Sequence, residues 1–316
     1  MRLMLRGVGG VHVTANPQSV SSRVSRHGPS SVGIHAVNFW PGFRLSDPLI
    51  RYLLQEAFGE FHQARQEREA DLVLTSVFPH IEARYPEKTI AIIWENVRPD
   101  YRLYARSFSF DYDDHGGRNQ RLPLWYAEID WAGGSRNGSV TMGGQGRDVA
   151  VDIERLMTPR EAPGEFPANF CCFVAGKDYA HRAEAVRALS GLAPVDVFGH
   201  LGGRPIQSKY DLLPGYRFNL CFENSSAPGY HTEKAPQAWL GGCIPLYWSD
   251  ASYDRDFNPR SMINRVDFES LEAFVEHVAE VNASPERMAE IYSQPLLSTA
   301  PSLAPAIDFL RAAVGR

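Results

Sequence analysis

Glu95 stands between Trp94 and Asn96 at the end of an apolar run. A carboxylate beside an aromatic ring is partly withdrawn from water, and partial desolvation suits it to act as a general base. The same spacing allows an ordinary ion pair with Arg98, and on spacing alone the two readings weigh equally. Lys234 follows Thr232 and Glu233 at the start of a helix-compatible segment. Thr232 can accept from the free N–H groups of a first helical turn. An ammonium there is unfavourable unless an anion shares the site, in which case it completes a phosphate-binding corner. Arg182 holds the corresponding place one strand–helix unit earlier, so the two cations can flank one pyrophosphate. The plainer reading of Lys234 is a surface lysine. Asn224, in Phe222-Glu223-Asn224-Ser225, is either a turn former or an amide that donates to and accepts from sugar hydroxyls.

Other groups carry less. Asp111, Asp113 and Asp114 could be taken for an Asp-x-Asp metal motif, but so short a pattern recurs by chance and reads as a solvated turn. The glycines of 143–146 lack the preceding strand and following helix that a dinucleotide loop requires. His181, His200 and His231 have no ligand spacing and read as surface or packing residues. Cys171, Cys172, Cys221 and Cys243 read as reduced thiols of the core, and no metal site is expected.

The chain that must position these groups has 316 residues, 44 % hydrophobic and 22 % charged, enough for two ordinary α/β domains and unlike a disordered or fibrous sequence. The net charge is -5 and no basic stripe is present, which argues against a nucleic-acid groove. A polyanionic ligand must meet a few placed cations instead. Residues 1–32 contain neither a signal h-region nor a membrane span, so a poorly ordered lead-in and a cytoplasmic protein without a membrane anchor are expected.

Apolar runs at 34–39, 72–76, 89–94, 108–112 and 122–125 read as strands, with a helix opened by Asp47-Pro48 and carrying Leu49, Tyr52, Leu53 and Phe58 inward. Glu95 therefore falls at the carboxyl end of a strand, where open α/β sheets bind ligands. The pattern restarts at 170–174. A helix at 180–189 follows, with Ala183, Val186 and Leu189 inward, and then strands at 195–198 and 217–222, a helix at 232–240 and a strand at 243–248. Two amphipathic helices come after these, the second capped by Ser284-Pro285. Alternation of this kind predicts parallel sheets covered by helices. The expected boundaries are a lead-in at 1–32, one Rossmann-like domain at 33–158 and a second at 159–316 that includes the C-terminal helices.

The run Phe222-Glu223-Asn224-Ser225, Tyr230-His231-Thr232-Glu233-Lys234 and Ile244-Pro245-Leu246-Tyr247-Trp248 resembles the α-1,3/1,4-fucosyltransferases of glycosyltransferase family 10. Asp256-Phe257-Asn258-Pro259-Arg260-Ser261 looks like the family's next segment. Asn38-Phe39-Trp40-Pro41-Gly42, Trp94-Glu95-Asn96-Val97-Arg98-Pro99 and Arg121-Leu122-Pro123-Leu124-Trp125 look like family elements of the first half, in order. The resemblance implies an α/β protein of GT-B type, with two Rossmann-like domains facing across a cleft. The implied activity is inverting transfer of L-fucose from GDP-fucose to the 3-hydroxyl or 4-hydroxyl of GlcNAc or Glc in a lactose or N-acetyllactosamine-type oligosaccharide.

The family's base falls on Glu95, and its phosphate-binding cations fall on Arg182 and Lys234. Glu233 matches an acid near the donor's ribose or fucose, while Tyr230 and Asn224 belong to the donor loop. No cofactor is implied, and a divalent metal is at most stimulatory. Two departures stand out: His231 occupies a position where Val is common, and Pro236 sits early in the helix, where it should distort or delay the first turn. Rival readings are a transferase for another GDP-sugar, a catalytically silent nucleotide-sugar or glycan-binding protein on the same scaffold, and a nicotinamide-dependent dehydrogenase, which the missing glycine fingerprint opposes.

Overall fold

The computed structural model describes residues 31–78, 84–133 and 150–315. Most of the expected lead-in and the glycines of 143–146 lie outside the described residues. Val32, expected as the last residue of the lead-in, already belongs to the first strand.

The first sheet contains β1 (Val32–Val37), β2 (Phe61–Gln63), β3 (Leu72–Thr75), β4 (Thr89–Ile93), β5 (Arg106–Ser109) and β6 (Asn119–Arg121), with helix α1 (Pro48–Phe58) between β1 and β2. Its six strands run β2-β1-β3-β4-β5-β6, and every pairing is parallel. Strands buried on both faces read as unbroken apolar runs, which is why 72–75 and 89–93 were legible. β2 and β6 are short and largely polar, with Phe-His-Gln and Asn-Gln-Arg sequences that carry no apolar run. The strand expected at 122–125 is absent: after Pro123, residues 124–128 form a 3₁₀ turn.

The second sheet contains β7 (Asn169–Val174), β8 (Val195–Phe198), β9 (Tyr216–Phe222), β10 (Ile244–Trp248) and β11 (Ile263–Asn264). Its order is β11-β10-β9-β7-β8, again all parallel. The helices of the chain beyond α1 are α2 (Ile153–Met157), α3 (Ala180–Leu189), α4 (Lys209–Leu212), α5 (Lys234–Leu240), α6 (Leu271–Asn282), α7 (Pro285–Tyr292) and α8 (Ala304–Ala313). Ser270 and Ser284 cap α6 and α7 by accepting from Ala273 and Arg287 N–H groups. All four cysteines are free and buried, as expected.

Two corrections concern helices. The buried stripe of α3 is Arg182, Ala185 and Leu189 rather than Ala183, Val186 and Leu189, because the arginine turns inward and places its guanidinium over the rings of Tyr179 and Phe173. Helix α8, which the apolar pattern did not reveal, returns to the first half. Leu303, Ala306 and Leu310 join the core formed by Val32, Leu49, Leu53 and Phe108. The C-terminal helices are thus divided between the halves.

The halves also share a core of their own. Trp125, Ile129 and Leu156 pack with Ala235, Trp239, Tyr247, Phe257 and Leu296. The carboxyl ends of β4, β7 and β9 line a cleft.

Candidate active site

A cavity of about 1540 Å³ is lined by Glu95 and Glu128 of the first half and by Lys177, Arg182, Asn224, Glu233 and Lys234 of the second. Each sheet contributes through the loops that follow its strands, where a parallel sheet directs its chain reversals to one edge.

Glu95 lies two residues after β4, next to the buried Trp94. The ion pair with Arg98 that the spacing allows does not form. Arg98 turns the other way, bonding Asp111 at 2.8 Å and lying over the ring of Phe110. Among the described residues the Glu95 carboxylate has no hydrogen-bond or ion-pair partner. Burial raises its pKa above the ordinary value; Lys234 opposes this and Glu233 adds to it, with Lys177 and Glu223 contributing less. A carboxylate left available in this way can accept a proton from a bound hydroxyl. The Asp111 turn is a paired one: Asp111 also faces His115 at 3.3 Å, while Asp113 and Asp114 accept from the N–H groups of His115 and Gly116.

Lys234 begins α5, two residues later than the sequence predicts. Thr232 is not the cap; its hydroxyl faces Glu223 and Lys234 instead, and Glu233 is the first helical neighbour, without a side-chain cap. Pro236 sits in the first turn, where its missing N–H leaves no bond unmade. With seven residues, α5 offers this corner the cation itself rather than a helix end. The ammonium donates to Glu223 Oε2 at 3.0 Å and Thr232 Oγ1 at 2.8 Å, and lies 3.6 Å from Glu233. Burial would lower the Lys234 pKa, but the charges of Glu223 and Glu233 outweigh it and hold the side chain charged. Glu233 is held below its ordinary value because Lys234 and Lys209 outweigh the effect of burial.

Glu223 organises this corner, and sequence reasoning passed over it. It is 0 % exposed and accepts from Thr232 N and Oγ1 at 2.8 Å, from Lys234 at 3.0 Å and from the Tyr247 hydroxyl at 2.9 Å. The signal was present, since Glu223 breaks off an apolar strand one residue before Asn224, but charge at a strand end is commonly solvated.

Arg182 reaches the same strand end from α3. Its guanidinium donates to the Phe222 carbonyl and, at 2.8 Å, to Asn224 Oδ1. Burial lowers its pKa, partly offset by Glu223, although an arginine stays protonated. Asn224 Oδ1 accepts from Arg182, and its amide N–H groups are available as donors in the cleft it lines. Tyr230 is buried, edge-on to Phe110 of the first half at 5.1 Å between ring centroids, and burial raises its pKa. Next to it Gly229 has φ 81 and lies so close to the Phe110 carbonyl that an added Cβ would collide with it.

The remaining histidines divide. His181 donates its Nε2–H to the Glu223 carbonyl at 3.0 Å and lies tilted against the Trp248 ring, and His200 lines the cavity. His231 is neither a surface nor a plain packing residue: it is 1 % exposed and faces two carboxylates, Asp250 and Asp256.

Residues 169–293 match the family described as "Glycosyltransferase family 10 (fucosyltransferase) C-term", and residues 34–127 match "Alpha-(1,3)-fucosyltransferase FucT N-terminal domain". The chain belongs to glycosyltransferase family 10. Among its relatives, "Alpha-(1,3)-fucosyltransferase FucT" of Helicobacter pylori is 28 % identical over 66 % of this chain and 47 % of the relative. "Alpha-(1,3)-fucosyltransferase 7" of Bos taurus is 32 % identical over 43 % of each. The chain thus spans about half the length, or less, of these family 10 relatives. A solved α1,3-fucosyltransferase with GDP superposes with a TM-score of 0.72 at 22 % identity, covering 94 % of both chains, and one with GDP-fucose gives 0.70 at 20 %. These likenesses establish the two-domain Rossmann-like fold of GT-B type. Among the described residues no helix is long and apolar enough to cross a membrane.

Proposed function

We propose that this family 10 chain is an inverting α-1,3-fucosyltransferase that moves L-fucose from GDP-fucose to a hydroxyl of GlcNAc or Glc in a lactose or N-acetyllactosamine-type glycan. The observation that carries the reading is the meeting, in one cavity, of an unpaired carboxylate from the first sheet with two oriented cations from the second. The GDP and GDP-fucose named with the solved α1,3-fucosyltransferases support the choice of nucleotide sugar.

In this reading the pyrophosphate lies between Arg182 and Lys234. An ammonium has three N–H groups. Two of those on Lys234 are bonded to Glu223 and Thr232, which orients the third toward the cleft. As the sugar–phosphate bond breaks, GDP gains negative charge and the fucosyl ring gains oxocarbenium character; placed cations stabilise the first without reorganising during the reaction. The Asn224 amide donates to a donor hydroxyl, Glu233 accepts from ribose or fucose hydroxyls, and the Tyr230 hydroxyl completes the donor loop. Glu95 takes the proton of the attacking acceptor hydroxyl from the opposite side, so one displacement inverts the anomeric centre. No metal takes part in this reading.

Transfer assays with GDP-fucose on lactose, N-acetyllactosamine and its β1,3 isomer test it. Fucosylated product from at least one acceptor is expected. Binding of GDP-fucose without transfer to any of them would favour a silent sugar-nucleotide-binding protein, and transfer from another GDP-sugar alone would change the donor.

A further inference from the structure

His231 lies in the donor loop between Tyr230 and Thr232, and both ring nitrogens face carboxylates. Nδ1 is 2.6 Å from Asp256 Oδ2 and Nε2 is 3.1 Å from Asp250 Oδ1. A neutral imidazole has one N–H, so it can donate to one carboxylate and must set a lone pair against the other. The imidazolium donates to both. Burial favours the neutral ring, but the two hydrogen bonds outweigh it and raise the His231 pKa above its ordinary value. Asp256 and Asp250 respond in the opposite sense. Burial would raise each, yet the bonds to His231 hold both below the usual carboxylate range.

Asp256 carries a second cation. Arg121, on β6 of the first sheet, donates to it with both terminal nitrogens, at 3.0 and 2.6 Å, and also to the carbonyls of Phe110 and Gly229 at 3.0 and 3.2 Å. The charges therefore alternate from Asp250 to His231 to Asp256 to Arg121, from the second half into the first. The other groups around this row are Tyr112, whose ring Arg121 and Arg255 both cover, Tyr126 on the first half, and the ring of Phe257 against His231. Arg121 works against protonation of His231; the two carboxylates prevail because they bond it directly.

We propose that His231 is a positioning residue. As an imidazolium it joins Asp250 to the Asp256–Arg121 pair and holds the loop carrying Tyr230, Glu233 and Lys234 against the first half. Loss of its proton removes one of the two bonds and sets a lone pair against a carboxylate, which loosens the loop. That the loop serves the donor rests on the reading above; that His231 is a charged link between the halves does not.

Two measurements on the full chain test this. In an NMR titration of the imidazoles, the signal missing from His231→Gln is expected to titrate above the ordinary histidine value, and Asp250→Asn should lower it. GDP-fucose, whose diphosphate does not titrate near neutrality, should bind the wild type several-fold more weakly as pH rises through that pKa. His231→Gln should bind roughly fivefold or more weakly than the low-pH wild type and be flat across the window. If His231→Gln fails to fold, Asp250→Asn, which leaves the Arg121–Asp256 pair in place, identifies the signal by its shift. A ring titrating at or below the ordinary value would overturn the charged link. Equal pH dependence in wild type and variant would overturn the positioning role. Absence of GDP-fucose binding at every pH would refute the donor reading, while the ring titration would still decide the link.

Discussion

Lys234 bonds Glu223 across 3.0 Å, and this contact determines where the ammonium at the start of α5 points. The carboxylate is completely buried and accepts from three other donors, on Thr232 and Tyr247. A cation tethered on one side presents its remaining N–H in a set direction, and binding a phosphate there requires little reordering.

Glu223→Gln should therefore be severe. An amide of the same size cannot accept from all of these donors, and it leaves Lys234 without its buried counter-charge. Breaking a buried pair by removing one partner costs about 3–5 kcal/mol. Urea unfolding should show a loss of that order. A loss under about 1 kcal/mol would mean that the corner is solvated.

Arg182→Ala and Lys234→Ala are each expected to weaken GDP binding by roughly 1.5–3 kcal/mol, the range for hydrogen bonds to charged groups. Calorimetric titration with GDP reads this directly. Unchanged affinity in both variants would move the phosphate site elsewhere in the cleft.

For Glu95→Gln, transfer should fall by roughly 10² to 10⁴ while GDP affinity is kept. Turnover close to that of the wild type would remove Glu95 from the role of base. Stability supplies an independent sign. Burial raises the Glu95 pKa, so the folded state holds this proton more tightly than the unfolded chain, and ionising the group at neutral pH destabilises the fold. The variant should accordingly melt above the wild type at pH 7, with the gap closing as pH falls through the raised Glu95 pKa and absent below the ordinary glutamate value. Transfer by the wild type should lose its rate on the acid side as pH falls through the raised pKa.

Because Arg182 and Lys234 supply the positive charge expected at the leaving diphosphate, transfer should persist in excess EDTA. Any stimulation by divalent ions should appear as faster GDP release, seen in product-inhibition kinetics. Complete loss of activity that added metal restores would bring a metal into the mechanism.

A resemblance carried by segments of fixed local order points to the family, to Glu95 and to the donor loop from the sequence alone. Strand and helix signals are local: apolar-rich segments such as 89–93 and 216–222 read as strands, and Ser284 announces a helix because its hydroxyl accepts from an N–H of the first turn. The order of elements follows from such signals, and with it which loops share a sheet edge. Partnerships between charges are not local. Arg98 is three positions from Glu95 yet bonds Asp111 and lies over Phe110. His231 and Asp256 are far apart in sequence and 2.6 Å apart in space, which no spacing rule anticipates. Likewise α8 has an apolar face like any other helix, and only the docking of Leu303, Ala306 and Leu310 on the first core decides which half it completes. Local periodicity specifies what each segment becomes, whereas the direction of a buried charge depends on which opposite charge the packed fold brings within bonding distance.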